Sequence, residues 1–238
     1  MRITASKLPL VEHCQWWARP DVEWDQRPSE SSLLGSAVHY FIEQAILGNR
    51  VTMDQLAHKF FLHEALVPNL RYMCEAWARK FPLFPNTWTP EVSLACDVTT
   101  LKAREIGRNR DYSKKTETEI PGTSDIVSYE DGIVHIIDWK TGRQIGLARP
   151  SQNAQLLFLA MCAAKIHGVS RARLTLCHIM PDKVDAVEDE VDEMVLAAAA
   201  YQLRHLRPDE SSPNKGWWCR YKFCPAKSNC PEWKPAVA

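Results

Sequence analysis

The chain has 238 residues and a mass of 27.2 kDa, the size of one large domain or two small ones, and its 45% hydrophobic content is enough for a substantial core. Lys plus Arg equals Asp plus Glu at 29 each, which excludes a polybasic binder working through bulk electrostatics, so any contact with nucleic acid has to come from a local patch. The longest apolar run, 156–164, falls far short of the roughly 20 residues of a membrane-spanning helix, and the N-terminus (Met1, Arg2, Ile3, Thr4) lacks an apolar signal stretch, so a cytoplasmic protein is expected.

Residues 31–47 carry apolar side chains three and four apart (Leu33, Leu34, Ala37, Val38, Phe41, Ile42), which predicts an amphipathic helix stopped by Gly48, with His39 and Glu43 one turn apart. A second helical region is expected over 53–81, after which Pro82, Pro85 and Pro90 break the chain and 91–101 reads as a strand. Segment 102–115 holds six basic residues (Lys102, Arg104, Arg108, Arg110, Lys114, Lys115) against Glu105 and Asp111 with almost no apolar content, and reads as an exposed loop. It either tracks a phosphate backbone or is simply solvated. Segments 122–129 and 133–138 read as strands joined by a hairpin turn at Glu130, Asp131 and Gly132, with Thr141 and Gly142 closing the second. Ser151 is positioned to cap a helix running to His167 and stopped by Gly168; 171–180 is a further strand, and a last helix is expected over 188–206. The acidic run from Asp182 through Glu193 reads as a solvated face with acids at a helix N-terminus. This order predicts an α/β fold with a mixed sheet. No internal repeat and no G-x-x-x-x-G-K-[ST] loop occurs, so the sequence carries no phosphate-loop motor.

On a strand, Asp138 and Lys140 project to the same side, and Asp125 on the neighbouring strand can converge on them. A lone Asp-x-Lys is ordinarily a surface pair. Here Asp138 ends an apolar run (Ile133, Val134, Ile136, Ile137), where an unpaired carboxylate is costly, and two neighbouring carboxylates ask for a divalent cation such as Mg²⁺ or Mn²⁺.

In a reducing compartment the eight cysteines read as core thiols, metal ligands or nucleophiles. Cys74, Cys96, Cys162 and Cys177 sit in periodic apolar stretches and read as small hydrophobes. Cys219, Cys224 and Cys230 crowd a Pro- and Lys-rich tail, one ligand short of the four that a tetrahedral or cubane site needs, and Cys14 is the natural fourth. Zinc suits four thiolates as well as iron does, and free thiols are the third reading. Trp16, Trp17, Trp217, Trp218 and Trp233 flank these cysteines, either packing around a cluster or stacking unpaired bases.

Taken together these motifs resemble the PD-(D/E)xK nuclease superfamily, and within it the RecB-like, CRISPR-associated-type exonuclease branch with an iron-sulfur cluster. Gly35 and His39 fit its helix motif G-x-x-x-H, Gly122 and Asp125 its G-x-x-D, and Asp138 and Lys140 its D-x-K; Glu91 resembles the acid often found on the preceding strand. Gln155 fits the start of Q-x-x-x-Y, although Leu159 stands at the tyrosine position and Gln152 is a competing glutamine. The resemblance implies a restriction-endonuclease-like core, a mixed sheet flanked by helices, at about 31–180 within a single nuclease domain over 1–238, whose ends at 1–30 and 207–238 are joined by the cluster. It implies metal ligands His39, Asp125 and Asp138, a catalytic set of Lys140, Asp138, Asp125, Gln155 and Glu91, and a [4Fe-4S] cluster on Cys14, Cys219, Cys224 and Cys230, with Zn²⁺ the alternative.

The function so implied is a Mg²⁺- or Mn²⁺-dependent deoxyribonuclease, an exonuclease ahead of an endonuclease, processing DNA ends in recombination, repair, or phage- or CRISPR-type DNA metabolism. It would work in a bacterial cytoplasm, or the host's if phage-encoded, with a helicase or strand-annealing protein as partner. The competing reading is a catalytically silent DNA-binding or assembly subunit that retains the fold.

Overall fold

The computed structural model describes residues 2–24, 29–141, 149–216, 219 and 224–233; Gly142, Trp217 and Trp218 lie outside them. After a short helix α1 (Leu8–Val11), α2 (Glu30–Ile46) starts where the Ser29 hydroxyl accepts the Ser32 N–H. Next, α3 (Met53–Lys59) opens with a reciprocal box in which the Thr52 and Gln55 side chains each accept the other's backbone N–H. The helical region expected over 53–81 is interrupted before α4 (Val67–Lys80). Phe60 leaves the helical conformation, Phe61 sits at φ 51°, and Pro68 enters in the first turn of α4, where a missing N–H breaks no bond.

Strands β1 (Thr89–Asp97), β2 (Ala103–Arg108), β3 (Glu119–Glu130) and β4 (Ile133–Thr141) follow, then α5 (Ala154–His167), β5 (Ala172–Ile179), β6 (Val184–Val191) and α6 (Glu193–Leu203). The six strands form one sheet in the order β2-β1-β3-β4-β5-β6, with β4 and β5 parallel and the other pairs antiparallel. Helix α5 is the crossover that a parallel pair requires. The mixed, helix-flanked sheet expected from the sequence is therefore present.

The β3–β4 hairpin turns on Asp131 (φ 51°) and Gly132 (φ 76°), the two left-handed residues a tight hairpin needs. Three local expectations require correction. The basic segment is not all loop, because β2 runs through it, burying Ile106 against β1 and presenting charge outward, as edge strands do. The expected helix over 188–206 begins too early: β6 pairs with β5 through Val191, Arg171 and Arg173 reach Glu190 at 2.8 and 3.1 Å, and the helix starts only where Asp192 caps Val195. Cross-strand ion pairing has overridden the helical preference of a Glu-rich run. Finally, Asn153 rather than Ser151 caps α5, while the Ser151 hydroxyl donates to Asp189 at 2.7 Å.

Both faces of the sheet are covered. The N-terminal segment, α5 and α6 bury Ile3, Trp17, Phe158, Leu159 and Leu174 on one side; α2, α3 and α4 bury Val38, Leu56, Trp77 and Ile137 on the other. Strand β4 alternates between them, Ile136 facing the first and Trp139 the second. Cys74, Cys96, Cys162 and Cys177 are buried core thiols, as expected.

Candidate active site and metal centre

The β3–β4 ladder ends at the Ile126–Ile137 pair. Beyond it, Asp125 accepts the Trp139 backbone N–H on Oδ2 at 2.7 Å and meets His39 Nδ1 with Oδ1 at 3.0 Å. On the other side of β3, the register with β1 passes from Pro90–Ile126 to Val92–Ser124, and the intervening Glu91 sits at φ 51°, in the left-handed region. Such a backbone is strained for a residue other than glycine, and strain of this kind gathers at functional sites. One ligand atom from each of His39, Glu91 and Asp125 lies within 4.8 Å of the others.

Helix α2 can bring His39 this close because it carries Gly35 where it passes β4. A Cβ at Gly35 would fall 2.7 Å from Thr141 Oγ1. A Cβ at Gly122, three residues before Asp125, would collide with the Ala5 Cβ, so the N-terminal segment seals this end of β3 through that glycine.

Lys140 and Asp138 form a second group. Lys140 Nζ is 2.6 Å from Asp138 Oδ2, and Gln155 from α5 joins both, accepting from Lys140 at 3.3 Å and donating to Asp138 Oδ1 at 3.0 Å. Between them Trp139 points the opposite way into an aromatic cluster, 5.4 Å from Phe81 and 6.3 Å from Trp77, which fixes the strand that carries the pair.

Electrostatics follow the geometry. Burial, joined by the Asp125 charge, pushes Glu91 up to about 7. Burial opposes charge on His39, but Asp125 outweighs it and raises the imidazole above its ordinary value. Burial likewise opposes charge on Asp125, where His39 and Lys140 prevail and hold the carboxyl low. Asp138 is raised by burial against the pull of Lys140. Lys140, against burial, is raised by Asp138 and Asp125. One imidazole beside two carboxylates in a concave site is a donor set that fits Mg²⁺ or Mn²⁺.

All five residues expected at the catalytic centre therefore stand at one end of the sheet. The close triad differs from the expected ligand set in containing Glu91, while Asp138 is engaged by Lys140 and Gln155. Gln152 is exposed and Gln155 makes the contacts. His178, which belongs to none of the sequence motifs, is buried, lies beside Lys140 in the β4–β5 register, and has both ring nitrogens without a hydrogen-bond partner among the described residues. Its signal was present: like Asp138, it stands near the end of an apolar strand.

The basic residues divide. Arg104 is committed to Glu119, with two bonds of 2.8 Å, and Arg108 donates to the Pro90 carbonyl at 3.1 Å. Arg110 instead lines a cavity with His39 and Glu91. Lys102 and Lys114 are exposed and Lys115 is half-buried.

Far along the chain from one another, Cys14, Cys219, Cys224 and Cys230 line a single cavity with Leu10, Trp16 and Trp233. The two ends of the chain are stitched around it: Asn214 donates to the His13 carbonyl at 2.8 Å, the Arg207 N–H to Gln15 at 2.7 Å and Asn229 to the Glu23 carbonyl at 3.0 Å. Burial, reinforced by the other three cysteines, raises the Cys224 thiol. Four cysteine side chains converging on one cavity fit a thiophilic metal or cluster.

No helix among the described residues is long and apolar enough to cross a membrane. No curated protein matches the chain. Among solved structures it is similar to one described as "Crystal structure of SSO0001", at 16% identity and a TM-score of 0.39 over 95% of this chain and 96% of that one. A family model described as the PD-(D/E)XK nuclease superfamily matches residues 2–231, nearly the whole chain. The chain therefore belongs to the PD-(D/E)XK nuclease superfamily, a class of metal-dependent nucleases.

Proposed function

We propose that this protein is a RecB-like deoxyribonuclease that degrades DNA from its ends, with Mg²⁺ or Mn²⁺ held by His39, Glu91 and Asp125 and with Asp138 as a further ligand. The observation that carries this reading is the junction of the close triad with the Lys140–Asp138–Gln155 group at one end of the sheet. A divalent cation there would polarise the scissile phosphate and lower the pKa of the attacking water.

The protein's own groups supply the rest. Lys140 is kept charged by Asp138 and Asp125 and offers its ammonium to the attacking water or to the negative charge that develops on the phosphate. Gln155 spans Lys140 and Asp138 and holds the lysine in place. His39 and the Trp139 N–H together fix the Asp125 carboxylate.

The cysteine cavity supports the iron-sulfur branch, in which Cys14 precedes the nuclease core and Cys219, Cys224 and Cys230 follow it. A cluster there would tie the ends of the chain together, a structural role. Zinc in its place is decided by metal analysis of anaerobically purified protein.

A silent scaffold has no use for a lysine beside two buried acids, so the intact Asp-x-Lys favours catalysis. The test is degradation of linear against covalently closed circular DNA with Mg²⁺ or Mn²⁺. Loss of the linear form alone is expected; cutting of both forms would make the protein an endonuclease, and cutting of neither would leave the scaffold.

A further inference from the structure

We propose that the cavity beside the candidate metal centre is a nucleotide pocket that grips the base and phosphate next to the scissile bond. The proposal rests on the nuclease reading above and adds to it a recognition element that the catalytic groups do not provide. The cavity, of about 330 Å³, is lined by the acids Glu43 and Glu91, by His39, and by Tyr40, Lys59, Phe60 and Arg110. That volume lies at the low end of the roughly 300–1,000 Å³ of small-molecule sites, on the scale of one nucleotide.

Two chemistries meet in it. Tyr40 and Phe60 offer aromatic surface, their rings 5.8 Å apart at 60°, both half-buried at the margin of the core that α2, α3 and α4 form. Tyr40 is braced by the Lys59 ammonium 4.4 Å over its ring. The break between α3 and α4 is what presents Phe60 here, and the next residue, Phe61, is 86% exposed. Arg110 supplies cationic charge from a turn in which Asn109 and Arg110 both have positive φ, 57° and 60°, and the Asn109 N–H fixes that turn by donating to the Glu91 carbonyl at 3.0 Å. Aromatic faces accept any base, and a guanidinium with an ammonium answers phosphate. A pocket built of both, sharing His39 and Glu91 with the metal centre, takes a nucleotide whose base is unpaired.

The test uses end-labelled single-stranded oligonucleotides in which an abasic residue is walked through the positions nearest each end. With wild-type protein and Mg²⁺ or Mn²⁺, one position should lower kcat/KM by about five- to hundredfold, the range of a lost base–aromatic stack. Phe60→Leu, which keeps the apolar volume, should show that loss on intact DNA and no further loss at the sensitive position; Phe60→Trp, which restores an aromatic face, should recover the abasic sensitivity that Phe60→Leu lacks. Indifference of the wild type to every abasic position overturns the proposal without any variant, and so does a Phe60→Leu protein that stays as sensitive as wild type. Fluorescence anisotropy of the same oligonucleotides with Ca²⁺ separates the two claims. Abasic-sensitive binding without turnover keeps the pocket and removes the nuclease, whereas turnover indifferent to base removal keeps the nuclease and removes the pocket.

Discussion

Asp125 accepts the backbone N–H of Trp139 at 2.7 Å, at the point where the ladder between their strands has ended. The carboxylate thus replaces a carbonyl in capping the end of the sheet, while its other oxygen faces His39. Asp125→Asn keeps an oxygen for Trp139 and so should fold, but it removes the charge that the cation needs. Cleavage should fall by at least about a hundredfold, since a metal supplies several kcal/mol and each 1.36 kcal/mol is tenfold. Initial rates on a labelled oligonucleotide, with a thermal melt as the folding control, check this.

Glu91 sets the pH dependence of metal binding. Its pKa is raised to about 7 by burial and Asp125, so it holds a proton through the range where an ordinary glutamate is ionised. Metal must displace that proton. Mn²⁺ affinity should rise with pH through about 7, the raised His39 adding its own proton to be displaced, and Glu91→Gln should bind weakly with a shallower slope. The stability of the metal-free protein carries the opposite sign: because the folded pKa is raised, the contribution of this group declines as pH climbs from the ordinary carboxylate range to about 7. Calorimetric titrations at several pH values read the first effect, and melts with EDTA the second.

Gln155 contacts Lys140 and Asp138 together, so it acts on chemistry by positioning. Gln155→Ala should lower kcat by about ten- to hundredfold with little change in KM. Lys140→Met should cost more, about a hundred- to thousandfold. Equal effects of the two substitutions would contradict a positioning role.

Gly122 is a packing requirement of the site. An alanine there would run into Ala5 and come within 3.1 Å of Leu159 and 3.3 Å of Phe158. Overpacking of this kind costs about 1–3 kcal/mol, and a chain of this size should lose about 2–10 °C in Tm. Differential scanning calorimetry measures it.

The cysteine cavity predicts a metal-bound fraction that depends on Cys14 as strongly as on Cys224 or Cys230. Cys14→Ser should lower iron content, weaken the visible absorption and reduce Tm, because the clip joins segments about two hundred residues apart, and long closures constrain the unfolded chain most. Zinc in place of iron in the wild type would assign the cavity to that metal.

What the sequence made legible was local pattern backed by chemistry. The apolar run ending in Asp138 announced a buried carboxylate with a partner, and Lys140 and Gln155 supplied it. Gly35 and Gly122 were visible as motif glycines, although their reason, close approach to Thr141 and Ala5, exists only in three dimensions. The segments misread as loop and helix, β2 and β6, are the two edge strands, whose charged faces look like solvated chain until a neighbour is present to pair with them. The pocket residues Tyr40, Lys59 and Phe60 were illegible for a related cause. Phe60 takes its place from the break between α3 and α4, which helical periodicity across 53–81 concealed, and Tyr40 meets it only across the packing of α2 on α3.

The most direct test is hydrolysis of end-labelled DNA by anaerobically purified protein with Mn²⁺ or Mg²⁺, beside an EDTA control and Lys140→Met. Metal-dependent release of nucleotides that EDTA abolishes and the variant lacks is the predicted result. Degradation that survives EDTA or persists undiminished in Lys140→Met would contradict the account.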